Sequence, residues 1–598
     1  MLTRPWTPWV ALVVSLVLLA PTLGHGLRMD DRWLRAMSVG DPRFPEMLRA
    51  PHRLFAFYDG PETLAFLRKH GVNPWFADDE VRLNFFRPLA SLLHFAEFRL
   101  LGASTWAMHA ISLAAYGLLV VVVHRFLVRF FGREGAPAQG GIAGFATALY
   151  ALDGHHGIVA GWLAQRNSIL AAIFGVLAID AHDRAVRDDD RRARVRAPIF
   201  VLLGLWSAEA GIATAFALVA HALTLTPPGR RLRSLGVHLV PHAIWAAGYV
   251  VGGHGVHGSG MYLDLAREPL HALSHALLHW PVLVSLNLGN QLADFWVMIS
   301  DAQRVGAVVL GLGFVAAFAS AIGPQVVRDA SSRFLALAAV LTLIPPCGTQ
   351  PMGRLVLFSG VFMLPLVAGA LLAWLEGTLE PWRPARHLAF AFLPLLALYR
   401  VVASPLLLAN GARSMVVLED SFGSFAASLP EDPTGATTVL VVNAPDLGFF
   451  GYLPMLAAEL GRKVPAAFPL ANGNRTVTLR GLDADSFSVR CDGGFVRSAT
   501  DQLSRSAATP LRLGASFRAG PLTFTVTHLD AVGRADEARV DAALPLDDPR
   551  LRWLAWEGSR LVPVAPPIGP EPRVFAAQSF FQHLIETANR PSVHVPGG

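Results

Sequence analysis

The sequence predicts a polytopic all-α membrane protein with a C-terminal soluble α/β or α+β domain. Three observations predict it. The 598 residues are 53% hydrophobic and only 16% charged, with a mean hydropathy of +0.43, where soluble domains carry about 25% charged residues. Apolar runs approaching the ~20 residues needed to cross a bilayer recur up to about residue 408. Beyond that, alternating strand-like runs joined by Gly- and Pro-rich connections take over. The predicted division is therefore 1–408 membrane and 409–598 soluble.

About eleven spans are predicted, at 8–24, 105–130, 140–153, 168–181, 197–208, 211–226, 236–252, 305–323, 333–346, 355–375 and 387–408. The first is read as an uncleaved helix, because Arg4 is its only early charge and no small-x-small cleavage site follows. The net charge of +6 and pI near 9.7 suggest nucleic acid only until the arginines are located. They sit in short clusters between apolar runs: Arg125, Arg129 and Arg133; Arg184, Arg187, Arg191, Arg192, Arg194 and Arg196; Arg230, Arg231 and Arg233; Arg328 and Arg333; Arg383 and Arg386. With the N-terminus inside and an odd number of spans, all five clusters face the cytoplasm. That topology puts 25–104, 253–304 and everything past about 409 outside an inner (cytoplasmic) membrane. Two cysteines, Cys347 and Cys491, supply neither a disulfide framework nor a thiolate metal site.

The first outer loop opens on Asp30-Asp31 and closes on Phe86-Arg87-Pro88-Leu89. A carboxylate pair at a membrane exit is costly near lipid and suited to handling a lipid-linked substrate; it can equally cap a helix starting there. Asp78, Asp79 and Glu80 form a second acidic cluster, read as a salt-bridged face or as a weak site for a divalent ion. In the second outer segment His271, His275 and His279 fall on one helical face. With no carboxylate at helical spacing inside the stripe, an interfacial amphipathic helix is expected ahead of a metal site. Glu209, between two apolar runs, calls for a partner, expected to be an arginine. In the C-terminal part, 437–443 reads as a buried strand followed by Ala-Pro-Asp446 and a helix to about 462. Further strands are expected at 475–480, 487–490 and 522–527, and a last helix at about 573–589. No P-loop, Rossmann fingerprint or tetratricopeptide-like repeat is present.

The order of these motifs resembles the GT-C membrane glycosyltransferases, in particular the transmembrane protein O-mannosyltransferases and their bacterial relatives, over about 20–380. Asp30-Asp31 matches their acidic pair, and Phe86-Arg87-Pro88-Leu89 resembles a Tyr-Arg-Pro-Leu element. Asp153-Gly154-His155-His156, then Trp162 and Arg166, is similar to His-Pro-x-His followed by Trp and Arg-x-Asp. Ser207-Ala208-Glu209 resembles Ser-Lys-Glu, and Met352-Gly353-Arg354-Leu355 resembles Glu-Arg-Tyr. The chain departs at Asp153, Ser168 and Ala208, and a different domain stands in place of the family's C-terminal repeats.

The resemblance implies inverting transfer of a sugar from a polyprenyl-phosphate donor to an acceptor protein or glycan on the outer face. Asp30 or Asp31 would take the acceptor's proton. Arg87, Arg166 and Arg354 would steady the departing phosphate, and His156, Trp162 and Glu209 would bind substrate. No cofactor is required; a divalent ion would have only Asp78, Asp79 and Glu80. The implied partners are the lipid-linked donor and membrane lipids, with no nucleic acid. Two rivals stand beside this reading. A flippase for a lipid-linked sugar would show mid-span charges and internal repeats, and neither stands out. A catalytically inactive envelope scaffold is suggested by Ser168 and Ala208.

Overall fold

A computed structural model describes residues 3–133, 137–264 and 267–588. The chain folds as two compact units, each built from three stretches of sequence. The first comprises Met1–Gly26, Phe85–His254 and Asp264–Met415; the second comprises Leu27–Asn84, Gly255–Leu263 and Val416–Gly598.

The first unit is helical. Each of the eleven predicted segments carries helix, but among the described residues length and apolarity sufficient to cross a membrane belong to six: Thr7–Gly24, Thr105–Gly132, Pro228–Val251, Asp301–Arg328, Ala330–Gly348 and Arg383–Ser428. Gly140–Ala151, Glu209–Thr224 and Gly360–Leu375 are apolar but shorter. These helices fit a membrane protein. Their ends are set by local chemistry. Asp190 accepts from the amides of Arg192 and Ala193 to start Arg191–Ser207, and Ser300 forms a capping box with Gln303 at the start of Asp301–Arg328.

Ion pairs gather the arginine loops. Arg129, near the end of Thr105–Gly132, bonds Asp180 (2.6 Å) and Asp183 (2.7 Å), and Arg133 pairs with Asp188. Arg328 reaches Glu380 at 2.7 Å. The 125–133 and 184–196 clusters therefore share one end of the helical body, as do those near 328 and 383.

The second unit draws on parts of all three segments that the positive-inside rule places outside: 27–84, 255–263 and the chain from 416. A three-stranded sheet pairs Ala56–Asp59 with Arg82–Asn84, and Arg82–Asn84 with Gly255–His257. Backbone bonds from Ser506 to Gly258 and from Gly260 to Gln502 tie that sheet to the C-terminal part. Trp75 stacks flat on Phe524 at 4.5 Å and donates its indole N–H to the Leu470 carbonyl.

The C-terminal part contains two sheets. In a four-stranded one, the parallel strands Thr438–Ala444, Ala466–Asn472 and Leu551–Glu557 are joined by Arg560–Pro563. A six-stranded antiparallel sheet runs from Arg573–Phe575 to Ser516–Ala519. The architecture is α+β.

Several expectations change. The soluble unit is not confined to 409–598 but recruits 27–84 and 255–263. The expected helix to about 462 is two short helices, Leu447–Phe450 and Leu453–Glu459, since Pro454 opens a new helix. The expected last helix splits into a strand, Arg573–Phe575, and a helix, Phe580–Ala588; residue 589 lies outside the described residues. The first outer loop holds helices at Asp30–Val39, Pro61–Lys69 and Pro88–Leu101.

Candidate functional site

Chain order alone places one polar cluster in the helical unit. Pro137–Ala151 starts just past Arg133 and ends at Asp153; Ala330–Leu341 starts past Arg328 and leads towards Gly353; the helix starting at Arg386 leads to Arg400. Asp153, Gly353 and Arg400 thus lie at helix ends opposite the arginine loops. Arg400 sits in a π-helical turn, Tyr399–Ala403, a local widening that turns side chains off the regular helical faces.

The cluster is a connected chain of hydrogen bonds. Arg400 donates to Asp153 Oδ2 at 2.6 Å, and Asp153 Oδ1 accepts from His155 Nδ1 at 2.9 Å. Gln291 Nε2 donates to both His155 Nε2 (3.0 Å) and Tyr399 Oη (2.7 Å). In the neutral imidazole this pattern puts the proton on Nδ1, with Nε2 accepting. Asp294 Oδ2 lies 3.6 Å from Nε2, while Oδ1 accepts from the Gly353 amide. Asp153 and Arg400 are 1% exposed, whereas the Asp294 side chain is 31% exposed. Burial disfavours the His155 cation, but the Asp153 charge outweighs it and raises the imidazole above its ordinary value. Gly353 is required here: a Cβ would stand 2.2 Å from the His155 ring and 2.6 Å from Asp294.

Next along the chain, Arg354 lies over the Trp162 ring, 5.6 Å from its centroid. Two residues read separately as substrate contacts are thereby adjacent. Arg354 Nε and Trp162 Nε1 are buried donors with no hydrogen-bond acceptor among the described residues. An unmatched buried donor is costly, and two side by side suit an anionic ligand.

The other predicted residues of this unit are engaged differently. Arg87 donates to Glu209 at 2.7 Å and lies over Phe85, and the Phe86 amide donates to the same carboxylate. The arginine partner expected for Glu209 is thus Arg87. Arg166 donates to Ser112, Glu97 and the Met108 carbonyl, so its fork is taken up in packing rather than aimed at a phosphate. His156 is buried against Tyr150 and bonds Tyr116 at 3.2 Å; its neighbour His155 is the one in the charged chain. The sequence reading quoted His155 within its motif without a role and missed Asp294 and Arg400. Arg400, a lone cation within the apolar 387–408 run, was the available signal, and it is the mid-span charge that had not stood out.

In the second unit the acidic pair divides. Asp31 is fully buried and reaches back to accept from the Arg28 amide at 3.0 Å. Asp30 is half-buried and accepts from the Tyr452 hydroxyl at 2.5 Å. The helix Asp30–Val39 has no side-chain cap, and its N-cap residue Met29 has φ +38°, a strained conformation for a non-glycine residue. Around it Arg32 bonds Glu419 (2.6 Å) and Glu459 (2.8 Å). The second acidic cluster is salt-bridged: Asp79 to Arg68, and Asp78 to Arg505 at 3.5 Å. The Glu80 amide bonds Asp78. The rings of the histidine stripe meet edge to face at 4.7 and 4.8 Å on Pro269–Leu286, with His271 held by Glu268. Among the described residues no group of three or more His, Cys, Asp or Glu side chains is arranged to hold a metal ion.

Compared with known proteins, the chain matches no family model, and no curated protein matches it in sequence.

Proposed function

We propose that the chain is a GT-C-like glycosyltransferase of about eleven spans in an inner membrane, with its second unit extracytoplasmic. It moves a sugar from a polyprenyl phosphate to an acceptor by inverting displacement. The observation that carries this reading is the Arg354–Trp162 pair, whose unmatched donors lie at the helix ends remote from the arginine loops. A lipid phosphate is the anion that a multispan body delivers to such a place, and a guanidinium fork suits its oxygens. Asp30, the accessible member of the acidic pair, takes the proton of the acceptor hydroxyl as its oxygen attacks the anomeric carbon. The carbon–phosphate-oxygen bond breaks, and the phosphate leaves with the electron pair on its lipid. One base suffices for a single displacement, so no covalent sugar–enzyme intermediate forms.

The anion site is tested directly. Purified protein in nanodiscs is titrated with polyprenyl phosphate, and Arg354→Ala is expected to weaken binding at least tenfold, about 1.4 kcal/mol. Equal affinity of wild type and variant would remove the support for the reading. The buried Arg400–Asp153 pair also fits a flippase, which would move intact donor between leaflets without releasing polyprenyl phosphate.

A further inference from the structure

Only seven tyrosines occur in the chain; two of them, Tyr452 and Tyr58, feel the Asp30 charge, and a third, Tyr262, acts on Tyr452. Tyr58 comes from the first outer loop, Tyr262 from the second outer segment, and Tyr452 from the C-terminal part. The Tyr452 hydroxyl donates to Asp30 Oδ1 at 2.5 Å. Burial and the Asp30 charge together raise the phenols of Tyr452 and Tyr58 above their ordinary value, and Tyr262 acts on Tyr452 in turn. These phenols therefore stay protonated and can only donate to a carboxylate. Tyr452 is itself fixed at the turn between Leu447–Phe450 and Leu453–Glu459, where its amide donates to the Phe449 carbonyl.

We propose that Tyr452 is a positioning residue for Asp30, through which the C-terminal domain completes the base. This deepens the transferase reading and rests on it for its meaning, but not for its test. A phenol that donates to the ionised carboxylate stabilises that form and restrains its orientation. The Asp30 side chain then belongs to a site made from three separate stretches of sequence, which explains why the domain cannot be read as an appended module.

The test is the titration of the Asp30 carboxyl band by difference infrared spectroscopy on the full chain in nanodiscs, with Asp30→Asn identifying the band. Tyr452→Phe keeps the ring and removes only the donor. The expected result is an Asp30 titration about one pH unit higher in Tyr452→Phe than in wild type, with unchanged thermal unfolding. An unmoved titration in folded Tyr452→Phe overturns the proposal. If Tyr452→Phe does not fold, Tyr452→Met, which fills the space without a donor, is measured in its place, and the same unmoved titration overturns the proposal. Failure of the transferase reading shows elsewhere: full turnover in Asp30→Asn, whatever the infrared result.

Discussion

At the residue scale, the two aspartates of the acidic pair do different work although they are neighbours in sequence. Asp31 is sealed and holds the backbone of Arg28, whose own buried guanidinium is pulled down to about 10 by its surroundings. Asp30 is reachable. Asp30→Asn is expected to lower turnover by about 10²–10⁴-fold with an unchanged unfolding temperature, since Asn still accepts from Tyr452. Asp31→Ala is expected to cost about 2 kcal/mol of stability by orphaning a buried amide, leaving turnover per folded molecule intact. Denaturation and turnover measured on both variants check this; the reverse pattern would exchange their roles. Gly353→Ala is expected to cost about 1–3 kcal/mol by overpacking the His155–Asp294 contact, read by thermal unfolding. The pair itself was legible in the sequence because acids beside a span are rare. Which one is accessible was not, because it depends on Tyr452, more than four hundred residues away.

At the element scale, the helices were readable and their interruptions were not. Long apolar runs announce helices by burial alone, and each of the eleven segments carries one. The π-helical turn at Tyr399–Ala403 and the turn at Gln291–Phe295 have no local signature, yet they bring Arg400 and Asp294 to His155. Propensity also missed the break at Gly451–Tyr452. In the soluble sheet the step after Thr438–Ala444 carries a pH consequence. Asp446 caps the next helix through the amides of Gly448 and Phe449 and accepts from Thr500. Burial pushes its carboxyl up to about 7. A carboxyl raised in the folded state stabilises the fold below its unfolded value, near 3.8, and loses that contribution as pH rises through about 7. The second unit should therefore unfold more readily at pH 8 than at pH 4 by this group's share. Asp446→Asn, which keeps the cap, should flatten that slope in chemical denaturation; an unchanged slope would mean the group titrates normally.

At the scale of the whole molecule, the agreement between charge and assembly matters most. The positive-inside rule sorts 25–104, 253–304 and the chain past 409 to one side using arginines alone. Independently of those arginines, parts of the same three stretches, 27–84, 255–263 and the chain from 416, belong to one compact unit, and the first two share a three-stranded sheet. The mixed origin of the second unit was not legible, because strands Arg82–Asn84 and Gly255–His257 are too short to announce a partner. Reporter fusions after residues 190, 262 and 410 are expected to read cytoplasmic, extracytoplasmic and extracytoplasmic. An extracytoplasmic signal at 190, or its absence at 262, would contradict the arrangement.

The transferase claim itself is tested most directly by following the donor. Purified protein in nanodiscs, given a polyprenyl-phosphate sugar labelled in the sugar and envelope material as acceptor source, should release free polyprenyl phosphate only when acceptor is present, with label appearing on the acceptor. Label transfer from a soluble nucleotide sugar alone, or passage of intact donor across the bilayer without cleavage, would contradict it.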